Sequence, residues 1–168
     1  KMLLLTGQRR SEVANMRWDE IDNGVWTIPS TKTKNKQEHE VPLTTAAVQL
    51  LGGIPNTGDF VFLSGRSKSG NPISGFSKAK ASLDTHIRNS GETLENWGYH
   101  SLRRTVRTHM SRLNVASGVA ERVMNHTPQG VVAIYDRHGY LSEKRKALEK
   151  WSGSLSLILS DEPSDNVV

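Results

Sequence analysis

The sequence predicts a mainly helical α+β domain with a small antiparallel sheet, and three observations point to it. Apolar residues recur at helical spacing twice, at Phe76, Ala79, Leu83 and Ile87 and again at Leu102, Val106, Met110 and Leu113. The run Val25-Trp26-Thr27-Ile28 alternates by face and is β-branched or aromatic, and Glu40-Val41-Pro42 offers it a partner strand. A length of 168 residues with 35% hydrophobic content suits one domain around one core.

In chain order, Leu3 to Thr6 reads as the end of a helix halted by Gly7, the residue type that most easily takes the left-handed conformation. The apolar opening has no capping residue before it, which predicts that the chain is entered within a helix. No basic segment followed by an apolar one marks a signal peptide. A short second helix follows, with Arg9 and Arg10 at its entrance and Val13 and Met16 as a narrow apolar stripe. Lys32, Lys34 and Lys36 stand in the long hairpin loop between the two strands. Thr44 or Thr45 caps a short helix ending at Gly52-Gly53, and Phe60 to Leu63 reads as buried strand or core coil. Ser64 to Gly70 is expected as loop and Ser74 to Asn89 as helix. Ser101 is the expected N-cap of the next helix, with Arg103 in its first turn and Arg103, Arg104 and Arg107 on the face beside the apolar one. Further helices are expected from Ser117 to near Asn125-His126, over Val131 to Asp136 with Tyr135, and from a Ser142 cap to about Trp151. Leu155, Leu157, Ile158 and Leu159 form a separate apolar cluster. The domain is thus expected over residues 1–158, and residues 159–168 as an acidic, disordered tail.

There are no cysteines, so disulfide frameworks, thiolate zinc sites and cysteine nucleophiles are excluded. Mean hydropathy is -0.52, and no apolar run approaches the roughly 20 residues of a membrane span. The net charge is +5, and the last ten residues hold Asp161, Glu162 and Asp165 without a base, which leaves +8 on the rest. Such a balance points to a polyanion, most economically nucleic acid. The phosphate loop, the dinucleotide glycine motif, the nucleophile elbow and the paired-histidine zinc motif are all missing. Asp19, Glu20 and Asp22 are close in sequence but sit at a helix exit and read as solvated.

What remains is a set of basic residues and one tyrosine. Thr6-Gly7-Gln8-Arg9-Arg10-Ser11-Glu12, then His100-Ser101-Leu102-Arg103-Arg104-Thr105, then Asn125-His126, then Tyr135-Asp136-Arg137-His138 follow one another in that order. On these boxes the chain resembles the tyrosine recombinases of the phage integrase family, and among them the prophage-type integrases. The likeness runs from Leu3 to about Trp151. Met124-Asn125-His126 replaces the more common Leu-Gly-His and is similar to the prophage-type subgroup. The hairpin lysine of the family is placed at Lys34, eight residues ahead of Pro42, with Lys32 and Lys36 as near alternatives.

Cleavage of a phosphodiester puts negative charge on two non-bridging oxygens, and Arg9 and Arg103 offer planar paired donors that stay charged. A tyrosine hydroxyl is a poor nucleophile at neutral pH unless neighbours accept its proton or stabilise its anion, which His100 and the arginines supply. The resemblance implies Tyr135 as nucleophile, His126 as a donor to a phosphate oxygen and Lys34 as the general acid for the leaving 5′ oxygen. It also implies a 3′-phosphotyrosine intermediate and no metal, ATP or other cofactor. Glu12 is read as a support for Arg9 through an ion pair. Arg104, Arg107, Lys32 and Lys36 are read as contacts to the DNA backbone.

Taken singly, each residue has a plainer reading: a solvated arginine face, a half-buried tyrosine, a helix-capping histidine, a loop lysine. Their joint occurrence in order favours the site. The resemblance further implies duplex DNA at attachment sites as substrate, a free monomer that forms a homotetramer on DNA, accessory DNA-bending or excisionase proteins, no membrane, and the bacterial cytoplasm at the nucleoid. Two rivals are weighed against it: a type IB topoisomerase-like swivelase, and a DNA-binding module without catalysis.

Overall fold

The computed structural model describes residues 1–64, 70–95, 97–126 and 139–160. Its elements are α1 (Met2–Thr6), α2 (Arg10–Ala14), a 3-10 turn (Trp18–Glu20), β1 (Ile21–Asp22), β2 (Val25–Ile28), β3 (His39–Pro42), α3 (Thr45–Gly52), α4 (Phe76–Asn89), α5 (Tyr99–Arg112), α6 (Ser117–Val123) and α7 (Leu141–Leu159). The strands form one antiparallel sheet in the order β1-β2-β3, with Trp26 opposite Val41 and Ile28 opposite His39. Period-two alternation puts Trp26, Ile28 and Val41 on the inner face, where all three are buried. The expected strand pair therefore forms. The two-residue β1 is too short to leave a pattern in the sequence.

Helices close over this sheet. Val106 and Met110 of α5, Ala120 and Val123 of α6, and Leu148 and Trp151 of α7 meet in one core. The buried indole of Trp151 donates to Leu4 O at 2.7 Å, which ties α7 to α1 and satisfies its only polar atom. Gly7 ends α1 in the left-handed conformation, φ 66°, with its amide bonded to Leu3 O, as expected of a glycine after an apolar helix end. Thr44 caps α3 by accepting from Ala47 N, also as expected.

Several expectations are corrected. Helix α5 starts at Tyr99, and Ser101 is not its N-cap but its third residue, accepting from Gly98 N through Oγ at 3.1 Å. Arg103 thereby falls in the second turn. It also joins Val106 and Met110 in the buried row, while Leu102 is only half-buried. The row Phe76, Ala79, Leu83 and Ile87 does form a helix, α4, but that helix buries no residue and Leu83 is 44% exposed. Ser142 does not cap α7; Tyr140 stands at that place, and the helix continues unbroken through the Leu155 cluster to Leu159. Leu155 packs on the core, whereas Leu157, Ile158 and Leu159 are exposed. The helix expected over Val131 to Asp136 and most of the acidic tail lie outside the described residues. No helix among the described residues is long and apolar enough to cross a membrane.

Candidate active site

The turn between α1 and α2 and the first turns of α5 form the walls of a cleft of about 530 Å³, lined by Gln8, Arg9, Arg10, Ser77, Lys80, Tyr99, His100 and Arg103 among others. The structure thus brings together three of the residues singled out in sequence, Arg9, His100 and Arg103. Arg9 stands at the entrance of α2. Its backbone N–H donates to Glu12 Oε2 at 2.8 Å and its Nη1 donates to Glu12 Oε1 at 2.9 Å. Glu12 is 2% exposed, so its carboxylate is a fixed anchor rather than a surface acid. The Arg9–Glu12 ion pair read from the sequence is present.

Arg103 is held more tightly. Its Nη1 donates to Gly7 O at 2.7 Å and its Nη2 donates to Met124 O, while only 4% of the residue is exposed. Of its five N–H donors, two are spent on these carbonyls. Burial pushes the guanidinium down to about 10, with the neighbouring Arg9 cation adding to the effect and Glu12 and Glu121 opposing it. Two cations drawn this close repel each other unless an anion lies between them. A pair of guanidinium groups on one cleft suits an anion that offers two oxygens.

Gln8 fastens the same turn from behind: its Nε2 donates to Thr6 O at 2.9 Å and to Val123 O at 2.8 Å. The end of α6 is thereby joined to Arg9 and Arg103. Past Val123 the chain turns through Asn125 in the left-handed conformation, φ 49°, with Asn125 N bonded to Arg122 O and His126 N bonded to Glu121 O. Asn is, after Gly, the residue that enters this region most readily, which suits Asn125 to the turn. His126 follows the turn, half exposed, and its Nδ1 lies 2.5 Å from Glu121 Oε2.

The hairpin loop reaches the same place, for Asn35 Nδ2 donates to Asn125 Oδ1 at 2.8 Å. Lys34, beside that tether, is exposed and makes no hydrogen bond or ion pair among the described residues. Lys32 differs: its Nζ binds Asn15 O at 2.9 Å and pairs with Glu20. Glu20 is not solvated as expected; its side chain is 7% exposed and also accepts from Trp26 Nε1 and Arg17 N. Lys32 is therefore a root of the hairpin. Lys36 is exposed. Arg107 spends its donors on Glu121, Ser111 and Ser117, and Arg104 lies exposed on another face of α5 in a groove with Thr108 and Arg112.

Tyr135 lies outside the described residues. Of the other two tyrosines, Tyr99 gives its hydroxyl proton to Phe76 O at 3.0 Å and packs edge-on against Phe76, while the Tyr140 ring lies under Arg122. Sequence reasoning gave no role to Gln8, Asn35 or Glu121, which hold the set from behind, because their partners are distant or lie outside its motifs. No sequence motif singles out His39. That side chain is buried on β3, its pKa pushed down to about 3 by burial first and then by the Lys144 cation, against a bond to the Val123 backbone, with Arg103 and Arg9 adding to the fall. Among the described residues no three His, Cys, Asp or Glu side chains converge as metal ligands would.

The model of the phage integrase family matches residues 1–141. The prophage integrase IntF of Escherichia coli K12 is 32% identical over 158 residues, which is 90% of this chain and 31% of the relative. The prophage integrase IntA of the same organism is 31% identical over 157 residues, 89% of this chain and 36% of the relative. The chain therefore spans about a third of the length of the curated relatives it matches. Among solved structures, the Tn1549 transposon integrase in complex with circular intermediate DNA has a TM-score of 0.61 at 17% identity, covering 88% of this chain and 55% of that one. The integrase from mycobacterium phage Brujita has a TM-score of 0.63 at 17% identity, covering 89% and 50%. These two likenesses show the fold.

Proposed function

Because the chain belongs to the phage integrase family, we propose that its cleft is the cleavage centre of a tyrosine-type site-specific DNA recombinase. The observation that carries the reading is the pair Arg9 and Arg103, two guanidinium groups braced by a buried carboxylate and two backbone carbonyls and facing one cleft. In this reading they hold the two non-bridging oxygens of the scissile phosphate and stabilise the charge that builds in the five-coordinate state. The Tyr135 oxygen bonds to phosphorus, the bond to the 5′ oxygen breaks, His100 accepts the tyrosine proton, and Lys34 supplies the proton that makes the leaving group a 5′ hydroxyl. His126 donates to a phosphate oxygen. The 3′-phosphotyrosine keeps a phosphoester bond, so a second 5′ hydroxyl reverses the step on another strand without ATP.

Lys34 is favoured as the acid because Lys32 is engaged with Glu20 and Asn15, while Lys34 is exposed beside the tether to Asn125. Tyr99 is disfavoured as the nucleophile because its hydroxyl proton is committed to Phe76 O. Backbone contacts to duplex DNA fall to Arg104 and Lys36, since Arg107 and Lys32 are used within the protein. Assembly as a tetramer on paired attachment sites, accessory DNA-bending proteins and a place in the bacterial cytoplasm belong to the same reading. They rest on the prophage integrases that the chain resembles.

The test is incubation with supercoiled plasmid in EDTA, quenched with SDS and scored for protein covalently bound to DNA. Covalent complex is expected in EDTA and expected to vanish in Tyr135→Phe, with noncovalent binding unchanged. Complex that persists in Tyr135→Phe moves the nucleophile to another tyrosine. A requirement for two paired sites then separates a recombinase from a strand swivelase, and binding without any covalent product supports the DNA-binding module instead.

A further inference from the structure

Outside the residues that would touch DNA, one ionised group is fixed from both sides. Glu121 Oε1 accepts from Arg107 Nε at 2.8 Å, and Glu121 Oε2 faces His126 Nδ1 at 2.5 Å. Arg107 is itself fastened, with Nη1 on Ser111 Oγ at 2.6 Å and Nη2 on Ser117 Oγ at 3.1 Å, so the carboxylate cannot swing away without breaking a chain of bonds. A backbone bond from His126 N to Glu121 O at 3.0 Å joins the same two residues a second time. His126 is otherwise half exposed, on a turn rather than within a helix, and nothing else among the described contacts orients its ring.

We propose that Glu121 is a positioning residue for His126: its carboxylate holds the proton on Nδ1 and leaves Nε2 as the ring nitrogen presented to the phosphate. Which nitrogen of an imidazole carries the proton is set by the bond that the other one makes, and a carboxylate behind a histidine fixes both tautomer and ring plane. The charged groups around Glu121 are Arg107 and Arg103 from α5, Arg122 from its own helix, and His126 after it. Burial opposes ionisation of the Glu121 carboxyl, but its bonds to His126 and Arg107 outweigh this and hold it below the ordinary carboxylate value. It is therefore a carboxylate throughout the neutral range, as the role requires.

The proposal rests on the reading of His126 as a phosphate contact, and two measurements keep them apart. In the 15N-labelled chain, at a pH where the ring is neutral, two-bond proton–nitrogen spectra report which nitrogen of His126 is protonated, with His126→Ala identifying the signal. Wild type is expected to show Nδ1–H, and Glu121→Ala to revert toward the Nε2–H form that an unheld imidazole prefers. A bare Nδ1 in wild type overturns the proposal whether or not the chain cuts DNA. In the plasmid assay, Glu121→Ala is expected to slow covalent-complex formation about tenfold. The same substitution in a His126→Ala background is expected to cost nothing further, and noncovalent DNA affinity should stay level. Equal losses in both backgrounds mark a merely structural role and overturn the proposal; Glu121→Gln, which keeps the shape and an acceptor oxygen, guards against misfolding as the cause. Absence of covalent complex in wild type counts against the recombinase reading alone.

Discussion

Gly7→Ala tests whether the cleft is built on one backbone position. Gly7 has φ +66°, and a Cβ there would lie 2.6 Å from Met124 Cε and 3.1 Å from Val106 Cγ1. The left-handed conformation costs a residue with a side chain about 1–2 kcal/mol. The packing conflict is at the low end of overpacking, about 1 kcal/mol, because the Met124 methyl is the end of a flexible chain while Val106 must give only a few tenths of an ångström. Together the expected loss is about 2–3 kcal/mol, which for a domain of this size lowers the melting temperature by about 5–10 °C. Gly24→Ala supplies the control. It has φ +71° with nothing within 4 Å of the added atom, so it should show the backbone cost alone, about 1–2 kcal/mol. Urea unfolding followed by tryptophan fluorescence reads both variants, and DNA cleavage should fall in Gly7→Ala, whose carbonyl holds Arg103, but not in Gly24→Ala. If Gly7→Ala loses no more stability than Gly24→Ala and cuts normally, the reasoning about this junction is refuted.

Two further outcomes are expected. Lys34→Ala should slow cleavage strongly with little change in stability, whereas Lys32→Ala should lower the melting temperature because it leaves Glu20 inside the hairpin root without its cation; the reverse pattern, read by thermal melts beside the plasmid assay, removes Lys34 as the acid. His39 binds its proton near pH 3 in the folded chain against an ordinary 6.5, so between those values the unfolded chain carries more protons and stability falls as the pH drops. The slope is at most about 1.4 kcal/mol per pH unit, and in the window from pH 6.5 down to about 5, above the range of ordinary carboxylates, His39→Gln should flatten it. An unchanged slope there means that His39 is accessible to protons in the folded state.

What could be read in the sequence was what short stretches decide for themselves. Gly7 after an apolar helix end, Thr44 ahead of a helical run and the alternation of Val25 to Ile28 each carry their cause within a few residues, and each appears in the structure as expected. Arg9 and Glu12, three residues apart, were legible for the same reason. Distant partners were not. Arg103 is buried because carbonyls from two other segments receive it, and no local pattern separates such an arginine from the exposed Arg104 beside it. Glu20 looked like one of three solvated acids until Lys32, Trp26 and Arg17 closed around it. The helix α4 formed where periodicity put it, but periodicity does not say whether a neighbour arrives to cover the apolar row.

Arg103 also makes competence a property of the whole chain. Its guanidinium bridges carbonyls that lie 96 and 21 residues away, one before the sheet and one past the following helix. Neither an early folding intermediate nor a nicked remnant that lacks one of those segments can align it. The placement of this one side chain thus depends on closure of the entire scaffold and not on any single segment.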